Sequence, residues 1–293
     1  MRSSSLASDL LLLLTAAIWG FAFVAQRLGM DHVGPFTYNG LRFALGCLSL
    51  LPLLPAGRRV PRAGAAPVRS RLFLLGGGAL GLVLFVAVSL QQVALLYMTA
   101  GKAGLIPGLD VVFVPALGLL WNQRPRVGTW VGAALAAAGL YLLSVTEDFS
   151  IATGDGLVLI SAVFWSFQVL LVAYLSPRVR PVELAFYQFF ICALLSLAAA
   201  WGLESFKWAD ISAAAGPILY GGVLSVGVAY TLQVVAQRHA RPAHASILMS
   251  LEAVFAAWGG WWILNEGLSL RGLVGCGLML AGMLLSQLWA LKK

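Results

Sequence analysis

The stretch TAAIWGFAFVAQRLG, residues 15–29, decides the fold because it returns later in the chain as SAVFWSFQVLLVAYL, residues 161–175. Both stretches are apolar enough to lie in a bilayer, yet each carries a tryptophan well inside the segment. Tryptophan in membrane proteins is enriched at the water–lipid interface instead. Trp19 and Trp165 occupy the same place in the two stretches, 146 residues apart. A shared anomaly of this kind indicates an internal repeat.

Further matches extend the repeat over the whole chain. The offset of 146 also pairs Asp9 with Asp155, Thr15 with Ser161 and Pro35 with Pro181; an offset of 142 pairs Gln91 with Gln233 and Asp110 with Glu252; and an offset of 143 pairs Gly132 with Gly275 and Gly139 with Gly282. Coincidences of leucine and alanine are common in an apolar chain, but matches of tryptophan, proline and acids in one register are rare. The sequence therefore predicts two repeats, residues 1–148 and 149–293, that together form one transmembrane domain.

The composition is that of an all-α polytopic membrane protein. Hydrophobic residues make up 60% of the chain and charged residues only 10%, whereas soluble domains carry roughly 25% charged residues. The apolar runs are continuous, which argues against alternating transmembrane β-strands. The first run is too long for a signal peptide, and we interpret it as an uncleaved helix. Ten spans are predicted, at residues 9–29, 36–55, 72–96, 101–121, 127–144, 155–175, 181–203, 213–237, 243–264 and 270–290.

The charges predict how these spans are oriented. If the N-terminus is cytoplasmic, fourteen Lys and Arg residues fall in inside segments and four at the outside. This positive-inside bias places both termini in the cytoplasm, and it explains the net charge of +8 without nucleic acid as a partner. Five spans per repeat is an odd number, so the second repeat enters the membrane inverted. Inverted repeats are typical of secondary transporters, whose substrate site lies near the midplane between the halves.

Several sequence patterns resemble a known family. They are AAIWGFAFV at 16–24, Pro35 followed seven residues later by Arg42, SLEAVFAAWGGWWILNEGLSL at 250–270 and GLVGCGLMLAGMLL at 272–285. They resemble the EamA repeat of the drug/metabolite transporter superfamily, and within it the sequence is most similar to the YddG-type amino-acid exporters. The resemblance implies ten helices, a central cavity and export of small metabolites across the cell inner membrane by alternating access. Ala253 stands where family members often have proline, so the resemblance gives no argument for a kink at this position.

The candidate site consists of aromatic and uncharged polar side chains. Trp19 and Trp165, on the first span of each repeat, are placed to clamp an apolar or aromatic group from two sides. Glutamines in spans turn away from lipid, either to bond another helix or to line a cavity. The predicted substrate-binding residues are Trp19, Phe23, Gln91, Tyr97, Trp165, Gln168, Tyr230, Gln233, Ser246 and Ser250. Packing between helices is the alternative for each. We assign Gln26, near the outer end of its span, to the entrance.

Three charged residues lie deep in the spans. Asp110 and Glu252 are near the middle of theirs, where burying one charge costs roughly 2.5–3.5 kcal/mol. Protonation or a partner such as Arg42 is expected to relieve that cost. Two roles fit the acids: proton coupling, or a structural hydrogen bond that pins the fourth and ninth spans.

Export of neutral, apolar or aromatic amino acids is the function that the sequence favours. A phosphorylated substrate would favour clustered Arg or Lys on the pathway, and drug-like amines or other small solutes are the runner-up. An intramembrane enzyme would need a paired nucleophile and base or a metal cluster at membrane depth, and a channel would more often use charged rings. We predict no catalytic residue, no metal and no cofactor, with the lipid bilayer and a small-molecule substrate as partners and a monomer as the working oligomeric state.

Overall fold

The computed structural model of the chain describes residues 2–54, 71–97, 110–120, 125–144, 153–205, 207–263 and 270–291, and these ranges contain helices, turns and connections but no strand. The main helices are α1 (Arg2–Met30), α2 (Pro35–Leu50), α3 (Leu72–Ala94), α4 (Asp110–Leu120), α5 (Val127–Ser144), α6 (Thr153–Leu175), α7 (Pro181–Leu203), α8 (Ala215–Ala236), α9 (Pro242–Ile263) and α10 (Leu270–Leu291). Each predicted span overlaps one of these helices. Residues 101–109, predicted to begin the fourth span, lie outside the described residues.

The helices have the length and composition of membrane spans in several cases. Helices α3, α7, α8, α9 and the Leu6–Met30 part of α1 are long and apolar enough to cross a membrane. Shorter apolar stretches lie in α5, α6 and α10, at Val127–Gly139, Leu159–Leu175 and Leu273–Gly282. The prediction of an all-helical membrane protein is confirmed, and the number of crossings stays a prediction.

The structure differs from the sequence prediction at several points. Helix α1 begins at Arg2, seven residues before the predicted span. Helix α2 ends at Leu50 and a turn follows it, although the apolar run continues to residue 55. A short helix, Trp208–Ala213, lies between α7 and α8, where only a loop was expected. Trp208 is 87% exposed, as is common for tryptophan at the edge of a bilayer.

The two halves of the chain pack together by exchanging their first helices. Helix α1 packs against α8 and α9 of the second half, and α6 packs against α3 and α4 of the first. Helices α2 and α7 pack on each other, and each also contacts the third helix of the opposite half. The principal core contains buried side chains from both halves, among them Phe43, Leu84, Phe189 and Val226. The two halves therefore share the principal core.

Helix α2 begins with a cap that comes from the other half. Pro35 is its first residue, a position where the missing N–H costs nothing. The carboxylate of Glu204, just after α7, accepts hydrogen bonds from the backbone N–H groups of Phe36 and Thr37 at 2.8 Å each, and from the Thr37 hydroxyl at 2.6 Å. A carboxylate at a helix N-terminus also interacts favourably with the helix dipole. The contact ties α7 to the start of α2.

Helix α8 is a π-helix over eleven residues, Tyr220–Tyr230. Gly221 and Gly222 lie in its first turn, against the stem and carbonyl of Arg42 on α2, where a Cβ at Gly222 would approach the Arg42 carbonyl oxygen to 3.0 Å. The glycines let α2 come close, and π-helical turns are frequent at functional sites. The sequence showed the glycines but carried no signal for the wider helix.

Helices α5 and α10 meet along a seam of glycines that follows the repeat. A Cβ added to Gly282 would lie 2.6 Å from the carbonyl oxygen of Gly132, and one added to Gly139 would clash with the carbonyl oxygen of Gly275. The 143-residue offset matches Gly132 with Gly275 and Gly139 with Gly282, so it converts one contact into the other. The two contacts are therefore related by the repeat, and small residues permit this close approach of the backbones.

We predict that Gly282→Ala destabilises the protein, because its methyl group must push against backbone rather than a flexible side chain. Overpacking of this kind costs about 1–3 kcal/mol, and the thermal unfolding temperature of detergent-purified protein should fall by several degrees. Gly277→Ala on the same helix is the matched control, since no heavy atom lies within 4 Å of its Cβ position. Equal unfolding temperatures for the two variants would contradict the seam.

Candidate functional site

A cavity lies between the two halves and draws its walls from α1, α2, α3, α4, α6, α8 and α9. Nine of the residues singled out in the sequence line it: Trp19, Arg42, Gln91, Asp110, Trp165, Tyr230, Gln233, Ser246 and Glu252. Residues far apart in sequence meet here because the first helix of each half packs against helices of the other half. The cavity is the place where binding is to be sought.

The first helices are positioned by two equivalent hydrogen bonds. On α1, the Thr15 hydroxyl lies 2.9 Å from the Leu11 carbonyl oxygen of its own helix and 3.2 Å from the Ala229 carbonyl oxygen of α8, and it can donate to either. On α6, the Ser161 hydroxyl donates to the Ala87 carbonyl oxygen of α3 at 2.9 Å. Both donors and both acceptors are related by the repeat. Each bond fixes its helix one turn before a tryptophan.

The two tryptophans form a three-ring cluster with Tyr230. The ring centroids of Trp19 and Tyr230 are 4.5 Å apart, those of Trp165 and Tyr230 are 6.0 Å apart in a stacked pair, and the indoles are 6.5 Å from each other. Both indoles are 9% exposed. The structure thus brings the predicted pair together on the cavity wall, with Tyr230 packed against both rings.

The indole N–H groups have different partners in the two halves. Trp19 Nε1 donates to the backbone carbonyl of Ser225 at 3.1 Å, whereas Trp165 Nε1 donates to the Gln91 side-chain oxygen at 2.8 Å. Ser225 belongs to the π-helical part of α8. The repeat symmetry is therefore broken at the site itself, which suits an asymmetric ligand.

Glutamines join the first and third helices at two places. Gln91 Nε2 donates to Gln26 Oε1 at 3.4 Å, in a single bond between α3 and α1. Gln168 and Gln233 exchange two amide bonds, at 3.3 and 3.1 Å, between α6 and α8. All four side chains are buried. In an apolar bundle such pairing satisfies polar groups that would otherwise be costly to bury.

The acids lie near each other in the cavity. Asp110 Oδ1 accepts a hydrogen bond from the Ser166 hydroxyl of α6 at 2.9 Å, and Glu252 lines the same cavity. Among the described residues, no carboxylate lies within 4.0 Å of the Arg42 guanidinium. The expected partnership of Arg42 with these acids is therefore not an ion pair in this structure.

Helix α9 is interrupted directly before Glu252. Its first part ends at Met249 and its second part begins at Glu252. The Ser246 and Ser250 hydroxyls donate to carbonyl oxygens three residues earlier in the helix, at 2.9 and 2.8 Å. Such side-chain bonds compete with regular helical bonding. Position 253, where family members often have proline, is alanine in this chain. The helix is interrupted here all the same.

Four predicted site residues do not line the cavity. Phe23 is buried beside Leu95, and Tyr97 is 58% exposed after the end of α3. Gln168 is buried as the partner of Gln233, and the Ser250 hydroxyl is bonded within α9.

The structure adds four lining residues that were not in the predicted set: Gln26, Val169, Ser225 and Met249. Gln26 follows Trp19 by two helical turns, which was the available signal for it. Ser225 accepts through its backbone carbonyl, which no sequence pattern reveals.

Comparison with known proteins defines the class. The model of the EamA-like transporter family matches twice, at residues 6–145 and 152–288. A protein of Archaeoglobus fulgidus named "Uncharacterized transporter" is 30% identical over 250 residues, which are 85% of this chain and 75% of that protein. The "Uncharacterized inner membrane transporter YedA" of Escherichia coli K12 is 30% identical over 155 residues, 51% of this chain and 48% of its own length.

A solved crystal structure shares the fold. It superposes with a TM-score of 0.77 and covers 99% of this chain and 98% of its own, at 20% sequence identity. The chain belongs to the EamA-like transporter family, and it is a membrane transporter of small solutes. The names of the two relatives give no substrate, so the similarity to YddG-type amino-acid exporters stays a prediction.

Proposed function

We propose that the protein is a secondary transporter that exports neutral amino acids, chiefly apolar and aromatic ones, across the inner membrane. In this proposal the chain crosses the membrane ten times in two inverted five-helix repeats, with both termini in the cytoplasm. The observation that carries the proposal is the cavity between the halves, in which Trp19, Trp165 and Tyr230 cluster. Aromatic faces suit an apolar side chain, and the nearby amides suit polar groups.

The two glutamine pairs support alternating access as the mechanism. Each pair lies toward the C-terminal ends of its helices. With inverted repeats, the Gln26–Gln91 pair faces the outside and the Gln168–Gln233 pair faces the cytoplasm. The second pair has two hydrogen bonds and the first has one. In this proposal, the cytoplasmic side is the more firmly closed one. Transport then requires the Gln168–Gln233 pair to part.

A drug-like amine or another small cationic solute is the second candidate substrate. Asp110 and Glu252 both line the cavity, and carboxylates favour a cationic group. Counterflow into proteoliposomes that contain purified protein separates the candidates, because a panel of labelled amino acids and amines shares one assay. Saturable counterflow of amines without any amino acid would overturn the proposed substrate class.

We predict that Trp19→Ala and Trp165→Ala each raise the half-saturation concentration for phenylalanine counterflow about tenfold, since each removes one aromatic contact of roughly 1–2 kcal/mol. The effect on alanine should be smaller, because its methyl group offers little surface to the rings. Trp208→Ala is the control, as this tryptophan is exposed outside the bundle. Unchanged phenylalanine transport in both cavity variants would argue that the indoles only pack the bundle.

We also expect Glu252→Gln to flatten the response of transport to an imposed pH gradient, while Asp110→Asn retains it. Asp110 is held by Ser166, which favours a structural role for it between α4 and α6 rather than between the fourth and ninth spans as expected, whereas Glu252 lies at the interruption of α9. Efflux from proteoliposomes after an external pH jump measures the response. A wild-type pH response in Glu252→Gln would assign that carboxyl a structural role as well.

A further inference from the structure

Arg42 is a buried cation for which the described part of the chain supplies no counter-ion. It is 2% exposed, and it lines the cavity. Its Nε has no hydrogen-bond partner, and no described carboxylate lies within 4.0 Å of the guanidinium. A buried charge without a partner is costly at membrane depth, and such residues mark binding sites or pathways.

The groups around Arg42 hold it in place but do not neutralise it. Its guanidinium carbon lies 5.5 Å from the Tyr38 ring centroid and 5.1 Å from that of Phe43, in cation–π contacts. Neither ring carries a charge at neutral pH in its ordinary state. Gly221 leaves room for the Tyr38 hydroxyl, since a Cβ there would lie 2.8 Å from its oxygen.

The cavity therefore offers one base and two acids. Arg42, Asp110 and Glu252 all line it, and among the described residues Arg42 makes no ion pair with either acid. The three-ring cluster around Tyr230 also lines the space. A ligand with one anionic group, one cationic group and an apolar body matches all three features.

We propose that the Arg42 guanidinium binds the carboxylate of the transported solute, and that this contact selects solutes with a carboxylate over their decarboxylated analogues. A guanidinium can engage both oxygens of a carboxylate in parallel hydrogen bonds. One arginine without a second base suits a monoanion better than a phosphate dianion. This inference rests on the proposed function, because it assigns the part of the substrate that the cavity recognises.

The test uses three ligands that differ by one group each: phenylalanine, phenethylamine, which lacks the carboxylate, and 3-phenylpropionate, which lacks the amine. Their dissociation constants are measured by calorimetry on detergent-purified full-length protein. Wild-type protein should bind phenylalanine more tightly than phenethylamine. Arg42→Gln should weaken both carboxylates by about 10–100-fold and change phenethylamine by less than about threefold. Arg178→Gln is the matched control, because this exposed arginine also contacts an aromatic ring, that of Tyr174 at 4.0 Å.

An equal loss for all three ligands, or no loss for any, overturns the proposal, and so does a wild-type protein that binds none of them. If Arg42→Gln does not give folded protein, Arg42→Lys decides. Lysine keeps the charge but cannot bind both oxygens in a fixed fork, so the carboxylates should lose several-fold in affinity relative to phenethylamine. If Arg42→Lys changes the affinities for all three ligands by the same factor, the proposal is overturned.

Failure of the proposed function gives a different result from failure of this inference. Wild-type counterflow of phenylalanine with an Arg42-independent affinity retains the transporter and rejects the carboxylate contact. Arg42-dependent binding of 3-phenylpropionate without counterflow of any amino acid retains the contact and rejects amino-acid export.

Discussion

Hydrogen bonding inside an apolar bundle is the constraint on which this structure depends. Polar groups that face lipid cannot bond to water, so they must find partners within the protein. Thr15 and Ser161 find theirs on the third helix of the opposite half, through the carbonyl oxygens of Ala229 and Ala87. These two contacts cross between the halves at positions related by the repeat, and they join each exchanged first helix to the opposite half.

The candidate site follows from that exchange. Trp19 and Trp165 come from different halves and meet only because α1 and α6 cross over, which places both indoles against Tyr230. Glutamine pairs also join α1 to α3 and α6 to α8. The polar contacts that assemble the bundle therefore also build the cavity wall, and any motion that opens the cavity must break some of them.

Much of the fold was predictable because long apolar runs, charge bias and a repeat leave few alternatives. Helices α5 and α7 match the predicted spans residue for residue, and the seam at Gly139 and Gly282 follows the repeat offset. The polar contacts were harder to predict from the sequence, since they depend on how each helix is rotated about its axis. Residue type did not show that Gln168 would pair with Gln233, or that Tyr97 would be exposed. Nor did it show that Arg42 would lie apart from both acids.

The central claim is that the two repeats are equivalent but enter the membrane in opposite directions. Substituted-cysteine accessibility tests it most directly, in a background without Cys47, Cys192 and Cys276. Asp31→Cys lies after α1 and Pro177→Cys at the equivalent turn after α6, and both positions are exposed. A membrane-impermeant thiol reagent added to intact cells should label the Asp31→Cys protein, and should label Pro177→Cys only after the membrane is opened. Labelling of both from the same side would contradict the inverted repeat and the transport mechanism built on it.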